Sequence, residues 1–111
     1  MDASNGRVVV PRLELAIDSA TRRRGLLGRD SLDADAGLVI APTNAVHTFF
    51  MRFSIDILFL TRAGRVVKIR AHVAPRRLAG VLRGYAVLEL PAGAAARAGI
   101  AVGQELVLRA R

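Results

Sequence analysis

This sequence predicts a mainly β (β-rich α+β) fold, a single-domain antiparallel β-sandwich or barrel with two short helices. Three observations carry that expectation. Apolar and polar residues alternate in "RLELAI" (12–17) and "RVVKIRAHV" (65–73), the period of a half-buried strand. Short apolar runs recur between glycine- and proline-marked breaks, about seven in all, as in small sandwiches and barrels. Only two segments have the flanks of a helix, and both are short.

Taken in order, residues 1–6 are expected to form a flexible tail, and 7–111 one β-rich domain. Within 12–17, Leu13, Leu15 and Ile17 share one face. Asp18 or Ser19 then offers a side-chain oxygen to cap a helix over 20–27, which Gly28 ends and Gly25 weakens. "RDSLDADAG" (29–37) is an acidic, turn-rich loop; Asp30, Asp33 and Asp35 lack the glycine and the later bidentate carboxylate of a calcium loop. "LVIA" (38–41) is a strand halted by Pro42. Residues 46–53 and 57–60 read as strands, and "TRAG" (61–64) is a turn of hairpin length leading into 65–73, where Val67, Ile69, Ala71 and Val73 share a face. "YAVLEL" (85–90) is a further strand, Pro91 opens an alanine-rich helix over 92–98 closed by Gly99, and "QELVLRA" (104–110) ends the fold.

Composition narrows the function classes. The chain has 111 residues, 52% hydrophobic and 23% charged, the profile of a globular domain with a real core. It has no cysteine, which excludes disulfides, thiolate nucleophiles and cysteine-bound zinc or iron–sulfur centres. No stretch resembles a signal peptide or an apolar membrane span, so a soluble, cytoplasmic monomer is expected. The net charge of +8 comes from sixteen arginines and one lysine, Lys68, against nine acids. Such a balance suits an anionic surface as partner, or reflects composition alone. Arg22, Arg23 and Arg24 point about 100° apart on a helix, so the cations read as dispersed. Nucleic acid is disfavoured, because the aromatics that would stack on bases lie within an apolar run.

That run, "AVHTFFMRFSIDILFL" (45–60), holds the most unusual residues. As a strand it puts His47, Phe49, Met51 and Phe53 on one face and Arg52 on the other. Asp56 stands at the near end of an apolar strand, where an unpaired charge is costly. It is expected to accept backbone N–H bonds at the turn or to pair with Arg52; alternatively it faces a pocket with His47 and holds one imidazole tautomer. His47 reads as a hydrogen-bonded core histidine and Met51 as a filler of a core gap. Together they would offer Cu(I) an imidazole and a thioether, with no third ligand in view, so neither metal nor cofactor is predicted. Glu89 would face outward if Tyr85 and Val87 did. No serine or threonine occupies a strained glycine-flanked turn, and neither a Walker loop nor G-x-G-x-x-G is present.

"TRRRGLLGR" (21–29), "GLVI" (37–40), "HTFFMRFSIDILFL" (47–60), "VLELPAG" (87–93) and "GIAVGQELVL" (99–108) resemble, in order and spacing, the bacterial and archaeal domain of unknown function 192 family. The resemblance implies a single β-rich domain with no established activity, and recurrent polar positions at His47, Met51, Asp56 and Glu89. Ser54 departs from a proline common in the family and Gln104 from a frequent aspartate. Many relatives carry a secretion signal, which is not seen here, so a periplasmic role is not expected. The leading expectation is a non-catalytic ligand- or protein-binding module with a pocket around His47, Met51, Arg52 and Asp56, and with Glu89 as a further candidate. The alternatives are a small acid–base enzyme using His47 and Asp56, and an accessory protein held to an anionic surface by its arginines.

Overall fold

Every residue of "IDILFL" is buried. Successive side chains of a strand point to opposite faces, so a strand buried throughout must be covered on both. The computed structural model describes residues 7–49 and 51–110, and the tail expected at 1–6 lies outside them. In chain order the elements are β1 (Arg7–Val10), β2 (Arg12–Ala16), α1 (Ser19–Arg24), β3 (Ala36–Ile40), β4 (Ala45–His47), β5 (Ile55–Leu60), β6 (Val66–Val73), β7 (Leu78–Gly80), β8 (Ala86–Pro91), α2 (Ala94–Ala98) and β9 (Val107–Ala110).

A five-stranded sheet in the order β2-β3-β8-β5-β6 forms the centre, with β5 and β8 its most enclosed strands. On one face, Leu58, Leu60, Leu88 and Leu90 pack against Val10, Leu106 and the alanines of α2. On the other, Ile55, Ile57, Phe59 and Val87 pack against Leu26, Leu38, Ile40, Met51 and Ala79. Two smaller sheets, the parallel pair β1-β9 and the antiparallel pair β4-β7, complete the fold. The mainly β class with short helices therefore holds. The arrangement is mixed rather than wholly antiparallel, since β2 and β3 also run parallel, and the central sheet keeps its β2 and β6 edges instead of closing into a barrel.

The hairpin expected at 61–64 joins β5 to β6, with the Thr61 and Gly64 N–H groups bonded to the carbonyls of Arg65 and Thr61. Gly64 has φ +92°, and a Cβ there would lie 2.6 Å from the Leu106 carbonyl oxygen, so the approach to β9 requires glycine. Asp18 caps α1 by accepting the Thr21 N–H at 2.8 Å, a bond that lowers the carboxyl's pKa. The helix stops at Gly25 (φ +47°), earlier than expected. In β2 the expected core face is corrected: Leu15 and Ile17 are 61% and 62% exposed. This strand is a sheet edge, covered by its neighbours only at Leu13 and Ala16.

The common face expected for Val67, Ile69, Ala71 and Val73 is also broken. Ile55 pairs with Val73 but Ile57 with Arg70, and Phe59 with Lys68 but Leu60 with Val66, so β6 carries an extra residue at two places; His72, with φ +50°, lies in the first of these bulges.

Candidate functional site

The strand read over 46–53 ends at His47, because the chain turns at Thr48. Thr48 is fully buried and was not singled out from the sequence. Its hydroxyl donates to the Ala74 carbonyl at 2.7 Å and accepts the Arg77 N–H at 2.8 Å, while its own N–H bonds the Arg77 carbonyl. The residue thus bolts the turn after β4 to the segment before β7. Thr48→Val keeps the shape but strands a buried N–H and a carbonyl; a loss of about 2 kcal/mol of stability is expected in urea denaturation. Beyond this turn Met51 is 7% exposed and belongs to the core cluster of Ile55, Ile57, Phe59 and Val87, a place that suits a flexible thioether. His47, by contrast, is exposed and lies against Phe49 with ring centroids 5.5 Å apart, so its expected place in the core is corrected.

His47 and Met51 line a cleft of about 530 Å³ between the β4 side of the fold and the segment from Ser19 to Leu27. Ile40 and Leu26 add apolar walls, and Glu89 reaches it from β8. Glu89 pairs across the sheet with Leu38 and Ile57 and points to the same face as they do. It is 3% exposed, which corrects the outward orientation expected for it. The residue could face outward only if β8 had an open side, and both sides are covered. Burial raises its carboxyl pKa from 4.5 to about 7, with the charge of Arg29 pulling the other way.

Among the described residues Glu89 is the one acid with neither a hydrogen bond nor an ion pair. Glu14, Asp30, Asp33, Asp35 and Glu105 pair with arginines, Asp18 caps α1, and Asp56 is bonded to backbone. Every fully enclosed side-chain polar atom among the described residues has a partner, so the Glu89 carboxyl must retain contact with the cleft. Gly25 leaves room beside it: a Cβ at that position would sit 4.0 Å from Oε1.

Arg22, Arg23 and Arg24 line the same cleft, against their expected dispersal. The cleft meets α1 at Ser19 and at its last three residues and follows the turn after it to Leu27; the helix ends where the arginines stand, so all three line the cleft. Arg22 donates to the Ile17 carbonyl at 3.0 Å, and Arg23 and Arg24 are exposed with no ion pair among the described residues.

The other two candidate residues do not join this cleft. Asp56 alternates with Ile57, and so points to the opposite face of the sheet, toward α2. Its Oδ1 accepts the N–H groups of His72 at 2.9 Å and Gly93 at 3.0 Å, and its Oδ2 accepts that of Ala95 at 2.9 Å. The carboxylate satisfies the first bulge in β6 and the start of α2 at once. The acceptors are used by backbone N–H groups, as expected, but the donors belong to β6 and the start of α2 and not to the turn before Asp56; the alternatives of an Arg52 pair or a His47 partner are corrected, because both oxygens are committed elsewhere. Arg52 instead reaches Asp30 at 2.6 Å on the surface. No group of three or more histidine, aspartate or glutamate side chains with metal-site geometry occurs among the described residues. No helix among them is long and apolar enough to cross a membrane.

Residues 2–108 match the model of the domain of unknown function 192, described as uncharacterized ACR. A protein of unknown function from Novosphingobium aromaticivorans is similar in structure, with a TM-score of 0.76 and 30% identity over 84% of this chain and 71% of that one. A protein from Sinorhizobium meliloti described as a "putative transcription regulator" gives a TM-score of 0.77 and 25% identity, over 84% of this chain and 78% of its own. No curated protein matches.

Proposed function

This chain belongs to the domain of unknown function 192 family, and we propose that it is a non-catalytic module that binds a small polar ligand in the cleft of His47, Met51 and Glu89. Arg52 and Asp56, placed in that pocket from sequence, serve as scaffold in this reading. The observation that supports it is Glu89: a buried carboxyl with no partner in the fold, opening onto a cleft of the size that small-molecule sites have. Elsewhere the protein gives each described acid a partner, so a lone enclosed acid is well suited to a hydrogen bond that arrives with a ligand.

An acid–base enzyme built on His47 oriented by Asp56 has less support, because the Asp56 oxygens are held by three backbone N–H groups. The test follows the His47 ring and the Met51 methyl by two-dimensional NMR while neutral sugars, sugar phosphates, hydroxy acids and amino acids are added in turn. His72 and Met1 are the only other residues of those types. The expected result is that one class moves both signals, saturably, and moves them less in Glu89→Leu. If no class moves either signal, the reading is wrong.

A further inference from the structure

We infer that the ligand of this cleft is a phosphorylated hydroxyl compound, of the sugar- or polyol-phosphate class, its phosphate held by Arg22, Arg23 and Arg24 and a hydroxyl directed to Glu89. The inference rests on the binding reading above and names the chemistry of its occupant.

Two features at different depths of one cavity carry it. Along the Ser19–Leu27 side stand three consecutive arginines, and two of them have no counter-charge among the described residues. A guanidinium presents a planar fork of donors that matches phosphate oxygens in pairs. Three such groups at one site suit a dianion better than the single charge of a carboxylate. His47, exposed on the opposite wall, adds a further donor in either of its charge states.

The enclosed end asks for something different. Glu89 sits there among Leu26, Ile40 and Met51, without a hydrogen bond of its own. An anion beside that carboxyl would be repelled whenever the acid is ionised, and an ammonium would enter a cavity lined by three fixed positive charges. A hydroxyl meets neither objection, since it donates to the carboxylate and accepts from the neutral acid. A molecule with a dianionic end and hydroxyls along its body therefore complements both ends at once, and about 530 Å³ is ample for one.

The experiment measures binding of ribose 5-phosphate, ribose, inorganic phosphate and malate to the whole chain by isothermal titration, with the His47 and Met51 signals as location markers. Ribose 5-phosphate is expected to bind at least about tenfold more tightly than inorganic phosphate, with ribose and malate weaker still. Arg23→Ala/Arg24→Ala, at exposed positions where folding is unaffected, is expected to weaken ribose 5-phosphate and inorganic phosphate by a similar factor. Glu89→Leu is expected to bring ribose 5-phosphate down to the level of inorganic phosphate and to leave phosphate binding unchanged. If malate or ribose binds as tightly as ribose 5-phosphate and moves the markers, the ligand class is overturned while the binding reading stands. If ribose 5-phosphate binds no better than inorganic phosphate, the role of Glu89 is overturned. If none of the four probes moves either marker, the class is overturned, and the wider panel above decides whether the binding reading falls with it.

Discussion

Replacing Asp56 with alanine is expected to remove about 4 kcal/mol of folding free energy, a large share of what a domain of this size has. The carboxylate accepts three backbone N–H groups, from His72, Gly93 and Ala95, and is itself fully buried. Without it, the first bulge in β6 and the first turn of α2 lose the acceptor that ties both to β5, and two of the three donors lie in a buried setting with no other partner. Asp56→Asn should fall between: its amide oxygen can still accept, but its NH₂ group confronts an N–H where an oxygen stood. Urea denaturation of the two variants measures the losses. A change below about 1 kcal/mol for the alanine variant would mean that water or backbone adjustment replaces the carboxylate.

Glu89 should behave in the opposite way, since the fold holds it at a cost. Its carboxyl titrates at about 7 in the folded state against an ordinary value of 4.5. Between those values the folded chain binds the proton and the unfolded chain does not, so stability falls as pH rises through that window and levels off above it. The difference corresponds to about 3 kcal/mol. Glu89→Gln, neutral at all pH, is therefore expected to match the wild type near pH 4 and to exceed it by about 2–3 kcal/mol near pH 9. Taking the difference between the two proteins at each pH removes the contribution of every other titrating group. A difference that stays flat from pH 4 to 9 would mean that the folded protein ionises Glu89 at no cost, through hydration or a hydrogen-bond donor.

Both residues interrupt apolar strands, and the sequence exposes one of them more readily than the other. Asp56 precedes an unbroken apolar run, where a carboxylate must have partners, and backbone N–H groups at a turn are the nearest supply; the donors proved to be those of His72, Gly93 and Ala95. Its separation from His47 is hidden because the strand-like pattern continues through residue 53, whereas Thr48 turns the chain. The burial of Glu89 is hidden in the sequence for a different reason. Alternation tells which residues share a face but not whether that face is open, and the cover over β8 includes Val10 and Leu106 on one side and Leu26 and Met51 on the other, residues that arrive from distant parts of the chain.

The same limit applies to Arg22, Arg23 and Arg24. Angular spacing spreads them around a long helix, yet α1 is six residues long and ends at Arg24, and the cleft runs past its last three residues to Leu27. The hairpin at 61–64, the cap at Asp18 and the glycine stop at Gly99 were legible because each depends on residues within a few positions of one another. The exposure of Leu15 and Ile17 was not, since it depends on β2 lying at a sheet edge.

The central claim is that one acid is held enclosed and without a partner at the arginine-lined cleft, and carbon-detected NMR of the glutamate carboxyls through pH 4–9 tests it most directly. Only Glu14, Glu89 and Glu105 give signals. A Glu89 resonance that titrates near 7 is the result the structure predicts. A Glu89 resonance that titrates at the ordinary value of 4.5 would contradict it, and with it the reading of the cleft as a ligand site.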